Sequence, residues 1–534
     1  MGAAAFRAVT TFTGDDHLFL AFARYVENPL IAFVRDQHGG EFYRPLPMLL
    51  WWLLGRLGHG SRTPFALLAF GLHGLVSVEV AALVAAMRAG PATDPQRRRG
   101  SNFDAGDDGG RGRHVALGAA GRDADGARQA SALGARRAGL IAGALFFSAP
   151  MTEEAAFWYS ASTDLLATAF GLGAVIAVLR GRTWISALLF AGACWSKETA
   201  LVVPLLGVVA LASQAGSPAA GREGVRRCLA LVPVAVTYVI LRTIVLGGLG
   251  RSGDEVASLP GKLLQIVSGL IHLAGTGQVV ANEGLAWALG MASWVLLLLG
   301  GVRVWRGSSA RSSVGVPLLW VLITVLPLLA APWAVGARYF YFPAVGLAWL
   351  AEIVLTNGPR SVPVVVVAVL AALLGLDFAQ GIDRRAEVLS YQARLSAARR
   401  AVADGLDHGF RTFHVAAGIK DLDLAVKEGP RFAAHEADLL VLGDSPASFV
   451  AVPETRAAAL DFLLARPPLP PSGAYRFGDR RIVGLARRGD DPTLDEVITR
   501  LPGIRFIRLR LGPAGHIIAR DVTDGLRTSD PGQI

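Results

Sequence analysis

"LALVPVAVTYVILRTIVLGGL", residues 229–249, decides the fold. It carries one charge, Arg242, over a length that matches the ~20 residues a helix needs to cross a bilayer core. In lipid no water satisfies the backbone, so such a run must close its hydrogen bonds within a helix or a barrel. "PFALLAFGLHGLVSVEVAAL" (64–83) and "VPVVVVAVLAALLGL" (362–376) repeat the pattern. The whole chain agrees: 534 residues, 52% hydrophobic and 18% charged, against about 25% charged in ordinary soluble domains. The fold class is an α-helical polytopic membrane protein.

Ten spans are expected, at about 64–87, 138–151, 162–180, 184–196, 199–213, 228–249, 286–302, 314–331, 343–357 and 362–378. Two of them, 184–196 and 199–213, are short and read as a broken pair around "CWSKET". The net charge of +10 would suggest nucleic acid in a soluble protein. Here the arginines cluster in loops between apolar runs, which is the positive-inside pattern, and no nucleic-acid motif is present. Arg180 and Arg182, then Arg222, Arg226 and Arg227, then Arg303, Arg306 and Arg311, then Arg360 fall in alternate loops. Placing these in the cytoplasm puts 1–63, 152–161, the turn near 197, 250–285, 332–342 and everything after 379 outside.

Three regions follow. Residues 1–63 form an extracytoplasmic first loop, in which "LPMLLWWLLGRLG" (46–58) is too short to span and suits the interface. Residues 64–379 form the transmembrane domain, with 88–137 a cytoplasmic loop whose Arg, Asp and Gly content suits disorder. Residues 380–534 form a small extracytoplasmic α+β domain, with "FIRLRLG" and "HIIARDV" flanking "GPAG" as a hairpin. The localisation expected is multi-pass in a bacterial inner (plasma) membrane, with the active face extracytoplasmic. Cys194 and Cys228 lie in or beside spans, and neither a disulfide nor a zinc site is expected.

The unusual polar residues gather on the outside. They are Asp15 and Asp16 in "FTGDDHLFLAF"; Arg44 in "EFYRPLP"; Glu153, Glu154 and Asp164 in "PMTEEAAFWYSASTDLL"; Lys197 and Glu198 in "CWSKETALVVP"; and Arg338 and Tyr339 in "GARYFYFPAVG". Charge within membrane segments is costly and points to function. Carboxylates with Arg and Lys on one face suit a phosphate-bearing lipid donor and a hydroxyl acceptor. A carboxylate takes the acceptor proton or holds a metal, and the cations stabilise the leaving phosphate. Each residue also has a plainer reading. The Asp pair and Asp164 can cap helices, Arg338 can snorkel, Tyr339 and Tyr341 can form an interface belt with the tryptophans, and His73 reads as a packed intramembrane histidine.

Taken in order, "DD", "YRPL", "PFALLAFGLHGLVSVEVAAL", "PMTEEAAFWYSASTDLL", "WSKETALVVP" and "ARYFYFPAVGL" resemble the GT-C-fold glycosyltransferases. The likeness is closest to the protein O-mannosyltransferase group, including the membrane mannosyltransferases with tetratricopeptide repeats. It covers residues 10–350, approximately. The resemblance implies sugar transfer from a polyprenyl-phosphate donor to a hydroxyl of a protein, lipid or glycan. It implies Asp15 or Asp16 as base or ligand of a divalent cation, Glu154 and Asp164 lining the second outer loop, and Arg44, Lys197, Glu198, Arg338 and Tyr339 toward the donor phosphate. The chain departs from the family in three places. No span precedes the Asp pair, which implies an N-terminally short chain; "APMTEE" replaces a His-Pro before the second-loop Glu; and no tetratricopeptide repeats follow. A transporter or lipid flippase, and a non-catalytic scaffold presenting the tail, are the competing classes.

Overall fold

The structure is a computed structural model. It describes residues 28–34, 42–58, 63–89, 113–149, 158–215, 218–248, 259–273, 283–307, 311–330 and 337–357, six strands between 412 and 521, and single residues at 19, 23, 152, 155 and 156. Asp15, Asp16, Glu153, Glu154 and the expected span 362–378 lie outside the described residues. The chain divides into two compact units.

The first unit comprises Met1–Leu67, Trp158–Ser160 and Gly381–Ile534. Helix α1 (Pro45–Leu57) starts on a proline, where the missing N–H costs nothing. Its buried face, Pro45, Pro47, Met48 and Trp51, packs with Phe19, Ala32, Phe65 and Tyr159. Trp51 is fully buried, with ring centroids 4.5 Å from Phe65 and 5.1 Å from Phe19. The expectation that this tryptophan faces an interface is therefore corrected. Arg44, at the head of α1, stacks its guanidinium 4.2 Å over the Phe42 ring. In the same unit the strands are β1 (Thr412–Ala417), β2 (Ser448–Pro453), β3 (Ala474–Phe477), β4 (Arg480–Val483), β5 (Ile507–Leu511) and β6 (Ile517–Asp521). They form a mixed sheet in the order β2-β1-β5-β6 and a separate β3-β4 ribbon. β1 runs parallel to β2 and β5, and β5 pairs with β6 antiparallel from Ile507↔Asp521 to Leu511↔Ile517.

The second unit, Leu68–Phe157 and Ala161–Gln380, is a helix bundle. Its described helices are α2 (Thr63–Ala89, entering from the first unit), α3 (Arg113–Phe147), α4 (Ser162–Leu179), α5 (Thr183–Ser196), α6 (Val203–Gln214), α7 (Pro218–Leu229), α8 (Val232–Leu246), α9 (Leu259–Leu273), α10 (Glu283–Gly307), α11 (Arg311–Val325) and α12 (Tyr341–Asn357). Five stretches among the described residues are long and apolar enough to cross a membrane: Thr63–Ala89, Tyr159–Leu179, Gly221–Leu246, Trp287–Arg306 and Arg338–Asn357. Four shorter apolar helices join them. This is the make-up of a multi-pass membrane protein. Two segments depart from expectation. Residues 113–137, read as disordered, belong to the 35-residue helix α3, because its frequent Ala and Arg favour helix despite the polar average. Residues 259–273, read as loop, form α9, which packs on α10.

Glycine sets the closest packing. α3 carries Gly139 and Gly143 against α2: a Cβ on the first would lie 2.3 Å from the Ala81 carbonyl oxygen, and on the second 2.7 Å from that of Ser77. This small-xxx-small spacing lets two backbones touch where lipid supplies no hydrophobic drive. α4 and α5 form a tight antiparallel hairpin. Gly181, at φ 72, ends α4 in a left-handed turn. Arg182 N donates to Ala177 O at 2.8 Å and Gly181 N to Val178 O at 2.9 Å, the two bonds of a Schellman close. The break in the middle of the chain falls at Lys197. Its extended backbone (φ −161, ψ 139) ends α5 and opens the 3-10 turn Glu198–Val202, and Pro204 then starts α6.

Candidate functional site

Four of the expected site residues meet at one end of the bundle. Asp164 occupies the third position of α4, in the first turn, where the helix dipole favours a carboxylate. It does not cap the helix: the N-cap is Ala161, with no side-chain bond. Instead Lys197 Nζ donates to Asp164 Oδ1 at 2.5 Å, and Thr163 Oγ1 donates to Oδ2 at 3.4 Å. The ion-paired side chains are 1% and 8% exposed, so both charges are out of solvent. Lys197 reaches Asp164 because its extended backbone projects the side chain out of the α5–α6 break and across to α4.

Tyr339 closes the pair from a third element, the 3-10 turn Ala337–Phe340. The Lys197 ammonium lies 4.2 Å from the centroid of its ring, and the Arg338 guanidinium 5.2 Å from the same centroid. One aromatic ring thus serves two cations, an arrangement that strengthens as water is removed. Lys197 was expected to face a donor phosphate. Its ammonium is held by Asp164 and lies over the Tyr339 ring. Glu198 follows directly, half-buried at the start of the 3-10 turn.

A second polar group adjoins this one. His73 is fully buried on α2, as its reading as a packed histidine requires. Its Nδ1 lies 2.8 Å from the Tyr341 hydroxyl and its Nε2 3.1 Å from the Phe147 carbonyl oxygen. The carbonyl can only accept, so Nε2 carries a proton, and in the neutral ring Nδ1 accepts from Tyr341. Tyr341 is wholly buried rather than a belt residue, and so are Trp320 and, nearly, Trp349. The Asp164 and Glu79 side chains lie near Tyr341. Glu79 itself reaches Gly173 of α4, whose absent side chain leaves it room, and its Oε2 has no partner among the described residues.

Residues not expected at the site complete the picture. Tyr341 ties α12 to α2, and Glu352, eleven residues further along α12, pairs with Arg88. Lys262 on α9 is buried. Glu352 had a signal, a lone acid in an apolar helix. Arg44 lies in the first unit, and Asp15, Asp16 and Glu154 lie outside the described residues. Among the described residues no group of three or more His, Cys, Asp or Glu could hold a metal ion. No family model, no curated protein and no solved structure matches the chain.

Proposed function

We propose that the chain is an integral membrane glycosyltransferase of GT-C type. It transfers a sugar from a polyprenyl-phosphate donor to a hydroxyl acceptor on the extracytoplasmic face of a bacterial plasma membrane. The observation that carries this reading is the buried Asp164–Lys197 pair under Tyr339. Three motifs that stand far apart in the sequence supply one residue each to the same spot. The positive-inside pattern puts that end outside and the Arg88 end inside, in a ten-span topology with an α+β tail beyond the membrane.

In this mechanism the acceptor oxygen attacks the anomeric carbon, whose bond to the phosphate oxygen breaks. The electron pair leaves with the polyprenyl phosphate, and the acceptor proton passes to a carboxylate of Asp15 or Asp16. Asp15 or Asp16 would hold a divalent cation, which would supply positive charge to the departing phosphate. Arg338 faces the leaving phosphate. The Asp164–Lys197 pair is a fixed dipole in an apolar setting that holds Tyr339 and Arg338 in place without reorganising. The test is transfer from radiolabelled polyprenyl-phosphate sugars in membranes holding wild type, Asp15→Asn, Asp16→Asn or Arg338→Met. Loss of at least about 100-fold in one aspartate variant, at equal expression, supports the reading. Full transfer by both aspartate variants sinks it.

A further inference from the structure

We propose that Lys262 anchors a phosphate-binding site at the N-terminus of α9. Lys262 is the fourth residue of that 15-residue helix and is 3% exposed. Its Nζ is shielded from solvent and has no hydrogen-bond partner among the described residues. A lysine with nothing to bind normally snorkels, carrying its ammonium to water along the four-carbon stem. This one does not. A buried ammonium without an acceptor is costly, and buried charges are held by partners.

The helix end makes the missing partner an anion. The first turn of a helix presents the positive end of its dipole, so a lysine there adds charge of the same sign. Side chains on a helix lean toward its N-terminus, which turns Lys262 over that first turn. An anion seated there meets the ammonium and the dipole together, the arrangement by which helix N-termini hold phosphate. α9 packs on the 3-10 turn Ala337–Phe340, so closely that a Cβ at Gly269 would lie 2.1 Å from the Phe340 ring. Gly269 is two turns beyond Lys262 on the same face of α9, and that turn carries Arg338. The ligand is a phosphate mono- or diester, whether a lipid headgroup or free phosphate. The inference does not depend on sugar transfer: a protein that merely bound or moved a phospholipid would show it too.

The test uses the full chain in phosphatidylcholine nanodiscs and follows thermal unfolding. One arm titrates inorganic phosphate against chloride at equal ionic strength; the other adds phosphatidic acid to the lipid. Wild type gains stability in one arm or both, and the arm identifies free phosphate or a headgroup as the source. Lys262→Met weakens the apparent affinity by about tenfold or more, while Lys262→Arg keeps it. Without phosphate, Lys262→Met unfolds no lower than wild type, since it removes an uncompensated charge. Equal responses of wild type and Lys262→Met in both arms overturn the site.

Discussion

Arg88 and Glu352 close a buried ion pair across 264 residues of chain. Arg88 Nη2 lies 2.9 Å from each carboxylate oxygen and Nε 3.3 Å from one of them, with Thr356 Oγ1 donating to Glu352 at 2.9 Å. Glu352 is fully buried and Arg88 one-fifth exposed. From Tyr341 to Glu352 along α12 is about 16 Å, so this pair locks α2 to α12 at the end away from Lys197. Removing one partner leaves the other charge stranded. Glu352→Leu or Arg88→Met alone should cost about 3 kcal/mol, and the double variant should recover most of it. Reversible unfolding in detergent, run as a double-mutant cycle, checks this. On the proposed function, sugar transfer per folded molecule should stay at the wild-type level.

The Asp164–Lys197 pair should behave alike in stability and differently in activity. Lys197→Met strands a carboxylate that is 8% exposed and should destabilise by about 3–5 kcal/mol. Asp164→Asn/Lys197→Met should be closer to wild type than either single change. On the proposed mechanism, transfer per folded molecule should fall at least about tenfold in all three, because the pair proposed to position Tyr339 and Arg338 is lost. Activity at wild-type level in a folded double variant would reduce this pair to a structural tie.

Gly139→Ala should separate α2 from α3 and cost about 1–3 kcal/mol, since the new methyl meets a backbone carbonyl that has nowhere to move. Gly134→Ala on the same helix meets nothing within 4 Å and should be neutral or slightly stabilising. The two melting temperatures, measured side by side, decide whether backbone contact or helix propensity governs this pair.

Reporter fusions test the orientation. A fluorescent-protein fusion after Gly181, in the turn between α4 and α5, should fluoresce as a cytoplasmic domain. An alkaline phosphatase fusion after Gly248 should be active as an extracytoplasmic one. Both signals reversed would invert the bundle and place the Lys197 end inside.

Much of the membrane architecture is legible locally. Apolar runs announce the long helices, and Lys197-Glu198 followed by Pro204 announces the break between α5 and α6. Gly181 between two arginines announces the α4–α5 turn. Partnership is what the sequence conceals. Lys197 finds Asp164 33 residues away, and His73 finds Tyr341 268 residues away. Neither distance leaves a periodic trace, and a lysine reads the same whether it awaits a phosphate or already holds a carboxylate. Composition misleads over 113–137, where the arginines and glycines of a loop-like average sit in a continuous helix. α9 hides for a related reason: 15 residues interrupted by Lys262 fall short of a span and resemble a loop.

The break at Lys197 has a consequence for the lipid itself. α5 has 14 residues and rises about 21 Å, whereas a bilayer core is about 30 Å thick. If α5 begins at one hydrocarbon boundary, Lys197 stops about 9 Å short of the other. A shortfall of that size is met by thinning the bilayer beside the helix or by letting water dip toward it, at a modest cost per ångström. The membrane would then be dimpled above the ion pair, and a headgroup drifting in the leaflet would sink toward Tyr339 without leaving its lipid plane. Hydrophobic mismatch, set by one short helix, would thus do the work of a substrate entrance.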